Sequence, residues 1–327
     1  MKVRHLVTIS VVALLLAMPA IAQTCSTGAD LDAAGRNSME KTAHSIYDYV
    51  VNGDFFHLKA NSIAQLANAF DRIQQAVIEY KPSFAGAQPT LMGMYLLDAS
   101  SGSGTLKRAE FYCGIFNSPD RVGFIFNNLP AGKYGMAVVQ AQGPTPMLVG
   151  IVLQVENNVW KLAGLYLHPT AVNGHDGNWY LQQARSDAAK GDKDVAFLYF
   201  GVARELIAPV DFMTDPQLEK LDDDAEAVAP PTIPLNGPVT ITGPDGKNYQ
   251  VTVVRPQVTK DGLRLMMRQQ VPDATNTGAS TVQNIGLIKA AVLKWPEVRD
   301  NFGSVLAIAQ DTQQHEYGTV LKMSDIK

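Results

Sequence analysis

Cysteine is almost absent: Cys25 and Cys113 are the only two in 327 residues. Two thiols cannot complete a structural zinc site, which takes four ligands. In an oxidising compartment they could form one disulfide, pinning the start of the chain to a strand. Otherwise one is a buried thiol and the other a loose one. Basic charge is short as well: 27 Lys and Arg stand against 31 Asp and Glu, net −4. A nucleic-acid binder needs a basic surface, so nucleic acid is not an expected partner. Beyond the N-terminal segment, no apolar run approaches the roughly 20 residues that span a bilayer. Phosphate loops, dinucleotide fingerprints and zinc-protease helices are missing. Gly102-Ser103-Gly104 falls short of a Gly-x-Ser-x-Gly elbow, which needs a further residue on each side of the serine. Nothing calls for a cofactor or a bound metal.

What is present begins with an export signal. Lys2 and Arg4 supply positive charge, and Leu6 to Ala17 is apolar apart from Thr8 and Ser10. Ala20-Ile21-Ala22 puts small residues where a signal peptidase reads. Cleavage after Ala22 leaves Gln23 first and removes two of the basic residues, giving 25 against 31, net −6. The run is too short for a retained anchor. Gln23 and Thr24 stand where a lipobox wants small residues before Cys25. The expectation is a soluble exported protein, periplasmic or secreted.

The remaining length is large for one core, so two domains are expected. Met39, Ala43, Ile46, Tyr47 and Val50 recur at helical spacing. Ser62 and Gln65 suggest a capping box for a second helix that Pro82 stops. Strands follow: 91–97, 107–116, 122–126, 133–140, then a hairpin of 147–155 and 159–167. Asn157-Asn158 suits its turn, because Asn tolerates the positive φ of type I′. Along 159–167 a strict alternation puts Trp160, Leu162 and Tyr166 on one face. Two helices, 178–190 and 192–207, meet at Gly191. Residues 221–238, with Asp222-Asp223-Asp224 and four prolines, read as an extended linker. The acid run lacks the ligand spacing and glycine of an EF-hand loop. Residues 239–327 are again mixed: a hairpin, a strand, a helix over 281–294 and two closing strands.

Two helices followed by antiparallel strands resemble the NTF2-like, cone-type α+β fold, over roughly 38–169. The strand "NNVWKLAGLYLHP", with Trp160, Gly164 and Tyr166, carries that resemblance. Residues 176–209 resemble a single tetratricopeptide-type unit: Gly191, Ala196, Phe200 and Ala203 keep the spacing of its second half, while Gln183 and Asp187 depart from its first. The NTF2-like resemblance implies a cone pocket but no particular chemistry, since that family spans isomerases, dehydratases and binding domains.

Candidate pocket residues are Tyr112, Tyr134, His57 and Trp160. An isomerase-type mechanism would draw its base and proton donor from Asp98, Glu110, Tyr95, Tyr112 and Tyr134. His168, His175 and Asp176 cluster in sequence but match no metal motif; His44 reads as a boundary residue and His315 as a solvated turn. No catalytic residue can be named. Three readings follow. One is a non-catalytic cell-envelope protein that binds a protein partner or an apolar small ligand. Another is a small-molecule isomerase or hydrolase using the cone. The last is an assembly factor whose Ala-rich helical pair presents an apolar patch.

Overall fold

The computed structural model describes residues 23–115 and 118–326; the signal-type segment 1–22 lies outside them. The fold is α+β, with mainly antiparallel sheets.

Helix α1 (Ala33–Asn52) is capped by Asp32, whose side chain accepts from Gly35 N, and ends at Gly53 with φ 68°. Its buried residues are Met39, Ala43, Ile46, Tyr47 and Val50, the stripe that its spacing predicts. The expected single second helix is three short ones: α2 (Phe55–Ala60), α3 (Ala64–Asn68) and α4 (Asp71–Tyr80). Ser62 caps nothing. Its hydroxyl donates to Leu58 O at 2.8 Å, and the chain around it is drawn into a bridge with Leu162. A tertiary contact thus overrides the local capping pattern.

Strands β1 (Thr24–Thr27), β2 (Gln88–Asp98), β5 (Lys133–Gln142), β6 (Met147–Glu156) and β7 (Val159–Pro169) form one antiparallel sheet in the order β1-β2-β5-β6-β7. Strands β3 (Thr105–Cys113) and β4 (Val122–Pro130) leave it. With β10 (Met213–Thr214) they make a second sheet, in the order β10-β4-β3. This departs from a single curved sheet: Asp98 pairs directly with Lys133, so the intervening hairpin is looped out. One face of the main sheet packs Val149, Ile151 and Leu153 against Ile46, Val50 and Phe84. The other packs Met136, Val138 and Val152 against Phe111 and Phe124 of the second sheet. Cys25 and Cys113 form a disulfide that ties β1 to β3 across these layers, Cα to Cα 5.0 Å.

The β6–β7 turn uses Asn157 and Asn158 at φ 53° and 62°. Beyond it the strict alternation fails. A bulge at Val152/Leu153 shifts the register, so Leu162, Leu165 and Leu167 all reach the helix side while Tyr166 reaches the other. An extra residue in one strand reverses the faces of those after it.

After the short ribbon β8 (Ala171–Val172) and β9 (His175–Asp176) come α5 (Gly177–Lys190) and α6 (Lys193–Ile207), then β10, then α7 (Pro216–Val228). The segment expected as an extended linker is therefore helical through Val228. Two of its acidic residues are clamps: Asp222 Oδ1 accepts from Arg204 at 2.8 Å and Asp224 Oδ2 from Arg185 at 2.7 Å. Past the helix, Ile233 is buried. The final sheet has the order β11 (Val239–Thr242), β12 (Asn248–Thr259), β13 (Gly262–Gln270), β14 (Ser304–Gln310), β15 (Glu316–Lys322). Only its β13–β14 pair is parallel, because α8 (Thr277–Lys294) and α9 (Glu297–Asn301) make the crossover. One apolar cluster joins α5, α6 and α7 to this sheet and to α8.

Gly201 sets the spacing of α6 on β12: a Cβ there would meet Pro256 Cγ at 2.7 Å. A proline ring cannot swing aside. Gly201→Val is expected to cost about 2 kcal/mol by overpacking, read as a lower urea midpoint; an unchanged midpoint would show that the helix lifts freely.

Candidate functional site

The sequence-derived candidates do not converge. Tyr112 is half exposed on β3, its hydroxyl donating to Glu110 Oε2 at 3.0 Å; Arg108 takes the other carboxylate oxygen. Tyr134 is buried between the two sheets of the N-terminal half and donates to Pro130 O at 2.7 Å. His57 lies on α2, with Nδ1 2.6 Å from Asp54 Oδ2 and its ring stacked on Tyr49. The His57 backbone N–H, then its ring, hold the Asp54 carboxyl below its usual value. Trp160 pairs with Val155 across the hairpin and packs on the helix-side core. Asp98 accepts from Ser100 and lies 3.5 Å from Lys133, and Tyr95 packs edge-on against Phe124.

The histidine candidates are likewise absorbed locally. Asp176 caps α5 by accepting from Trp179 N at 2.8 Å, and His175 stacks on Trp179 at 3.7 Å. His315 Nδ1 lies 3.0 Å from Asp311. Among the described residues no group of three or more His, Cys, Asp or Glu could hold a metal.

The space between the helices and the sheet, where a cone pocket was expected, is packed with Ile46, Val50, Leu58, Phe70, Val77 and Phe84 against the sheet. Space remains at one margin. Strand β1 pairs with only the Tyr95–Asp98 half of β2, leaving the Gln88–Gly93 half as a free edge among the described residues. There α1 and the sheet diverge into a groove of about 340 Å³. Its helix side carries Asn37, Glu40, Lys41 and His44 at the rim, with Ala43 and Tyr47 deeper. Its sheet side is Pro89, Leu91 and Val139. The polar rim follows from α1's own periodicity: Asn37, Lys41 and His44 flank the buried stripe at i, i+4, i+7. Leu91, which lines the groove, is 43% exposed, and its neighbour on the same strand edge, Met92, is 58% exposed. Tyr47 is 4% exposed, and its hydroxyl has no hydrogen-bond partner among the described residues. Burial, then neighbouring Asp48, pushes its pKa up.

The chain matches no protein-family model, no curated protein and no solved structure.

A second set of titratable groups sits where the two halves meet. Glu205 on α6 accepts from Val258 N at 2.7 Å. Burial pushes its carboxyl up to about 7, although that N–H and Arg255 favour the ionised form; Asp211 raises it further. His168 on β7 is lowered by burial, against the pull of Asp211. A cleft of about 500 Å³ opens nearby, bordered by Tyr80, Pro146, Asn173 and Lys260, but neither Glu205 nor His168 lines it. These groups are packed into a junction rather than presented to a ligand.

The helical pair α5–α6 offers no docking patch. Its large apolar residues, Leu181, Leu198, Phe200 and Leu206 among them, are buried. None of the large exposed apolar side chains falls between 178 and 207. The assembly-factor reading loses the surface it required.

Sequence reasoning missed the groove. It placed Tyr47 in the core stripe and His44 at its boundary, both of which hold. It had no means to see that β1 stops halfway along β2. The adjacent pair Leu91-Met92 was the available signal, since strict alternation would have exposed only one of them.

Proposed function

We propose that the protein is an exported, non-catalytic cell-envelope protein that holds a small apolar ligand in the groove between α1 and β2. The observation that carries this reading is the groove itself: apolar walls, a polar rim, and an open Leu91 lining it. Its volume lies at the lower end of small-molecule sites. A free strand edge could instead recruit an extended peptide. Two features oppose that. Pro89 lacks a backbone N–H, and the register shifts between Leu91 and Gly93; prolines and bulges are devices that blunt strand edges against added strands. The small ligand is therefore favoured over a protein partner.

Export is supported by the N-terminal pattern and by the Cys25–Cys113 disulfide, which suits an oxidising compartment. Helices on one face of an antiparallel sheet over 38–169 support the NTF2-like kinship, also as a proposal. An isomerase or hydrolase would want a buried carboxylate with a raised pKa in the pocket. Among the described residues Glu205 is the carboxylate so raised, and it lies at the junction. No helix of the described residues is long and apolar enough to cross a membrane.

The neutral dye N-phenyl-1-naphthylamine tests the reading by its fluorescence. Leu91→Asp, at an exposed position, is expected to weaken dye binding at least tenfold while leaving the urea midpoint nearly unchanged. Equal binding by the variant would move the site elsewhere.

A further inference from the structure

One of the residues lining the groove, Tyr47, carries a polar group left unsatisfied among the described residues. Tyr47 is 4% exposed and its hydroxyl has no partner among the described residues. Leaving such a donor unpaired is costly, and native structures seldom do so without a reason. The ring is held in place by edge-on contact with Phe84, centroids 6.1 Å apart. Because burial raises its pKa, the group remains an O–H donor under ordinary conditions. It calls for an acceptor.

The rim says what kind of acceptor. Glu40 and Lys41 line it with one charge of each sign, and His44 there faces Asp48 at 3.8 Å, so the rim favours neither an anion nor a cation. A carboxylate entering beside Glu40 would lose its hydration for no net attraction. An uncharged carbonyl loses much less. The facing wall of Pro89, Leu91 and Val139 suits a hydrocarbon chain. A cavity of about 150 Å³ accommodates benzene, so one of about 340 Å³ accommodates roughly twice as many carbons, about twelve.

Resting on the binding reading above, we propose that the ligand is a single-chain amphiphile of about ten to twelve carbons ending in an uncharged ester or amide, whose carbonyl oxygen accepts from the Tyr47 hydroxyl. The hydroxyl itself exposes almost no surface, so entry of the carbonyl requires a side chain to move. Leu91, on a free edge and 43% exposed, can do so.

Displacement of N-phenyl-1-naphthylamine by decanamide, decanoate and decane tests the assignment. Decanamide is expected to displace the dye at about a tenfold lower concentration than either of the others. Tyr47→Phe is expected to weaken decanamide about tenfold, leave decane unchanged, and raise the urea midpoint of the ligand-free protein, because the orphaned hydroxyl is gone. Three probes of equal potency, or unaltered decanamide affinity in Tyr47→Phe, would overturn the carbonyl assignment while leaving the groove as a plain apolar site. A lowered midpoint in Tyr47→Phe would show that the hydroxyl is already satisfied and overturn it too. If neither dye nor probe binds the native protein, the binding reading itself fails.

Discussion

Replacing both cysteines, Cys25→Ser together with Cys113→Ala, is expected to lower stability by about 4.6 kcal/mol, the loop-entropy value for residues so far apart in sequence. The two are separated by 88 positions, so the bridge closes a long loop and restricts the unfolded chain strongly. It also has a local role. β1 holds to the rest of the protein through its pairing with Tyr95–Asp98 and through this bond. Freed from it, β1 can fray, and the open edge of β2 then lengthens from Gln88 to Asp98, inviting aggregation. Reduced wild-type protein should behave like the double variant. So should wild-type chain lacking residues 1–22 and produced in a reducing cytosol, whereas chain passed through an oxidising compartment should carry the bond. Urea denaturation of these forms, with thiol titration alongside, checks the prediction. A difference under 1 kcal/mol between oxidised and reduced protein would mean that β1 contributes little to the cooperative unit.

What the sequence discloses here is whatever repeats locally. The α1 stripe from Met39 to Val50 is complete in it, because a helix buries one face at a fixed period. The Asn157-Asn158 turn and the Gly191 break are equally local, each set by residues that accept positive φ. Features made by partners distant in the chain stayed hidden. Asp222 and Asp224 look like a solvated run until Arg204 and Arg185 are brought to them. Ser62 looks like a cap until Leu162 bridges to it. The phase change at the β6–β7 bulge costs one residue and turns Tyr166 away from Leu162. Choosing site residues by type fared worst. His57 and Tyr112 are reactive kinds of side chain, but Asp54 and Glu110 two or three positions away already occupy them. Tyr47 drew no notice because its place in an apolar stripe is fully explained; only the missing partner of its hydroxyl distinguishes it.

Glu205→Gln is expected to make the protein more stable at pH 8 by about 3 kcal/mol, the free energy matching the rise of its carboxyl. The unfolded carboxyl titrates at 4.5 and the folded one at about 7. A folded pKa raised in this way contributes stability that is fully present below 4.5 and is lost as pH climbs through about 7. Above that, folding must bury a carboxylate on α6, with the Val258 N–H and Arg255 only partly offsetting the lost hydration. Glutamine keeps an oxygen for the Val258 N–H but has no charge to desolvate. Variant and wild type should therefore have similar stability at pH 4 and separate progressively between pH 5 and 8. His168, across the same junction, works in the opposite sense. Its lowered pKa means that it prefers to be buried neutral, so its contribution is lost as pH falls through its ordinary value of 6.5. Wild type has both groups titrating in one window, partly cancelling, whereas Glu205→Gln leaves His168 alone and should show a steeper loss on acidification. Urea midpoints at half-unit pH steps distinguish the cases. Parallel curves for the two proteins would show that Glu205 ionises freely at the junction, with water reaching it between α6 and β12.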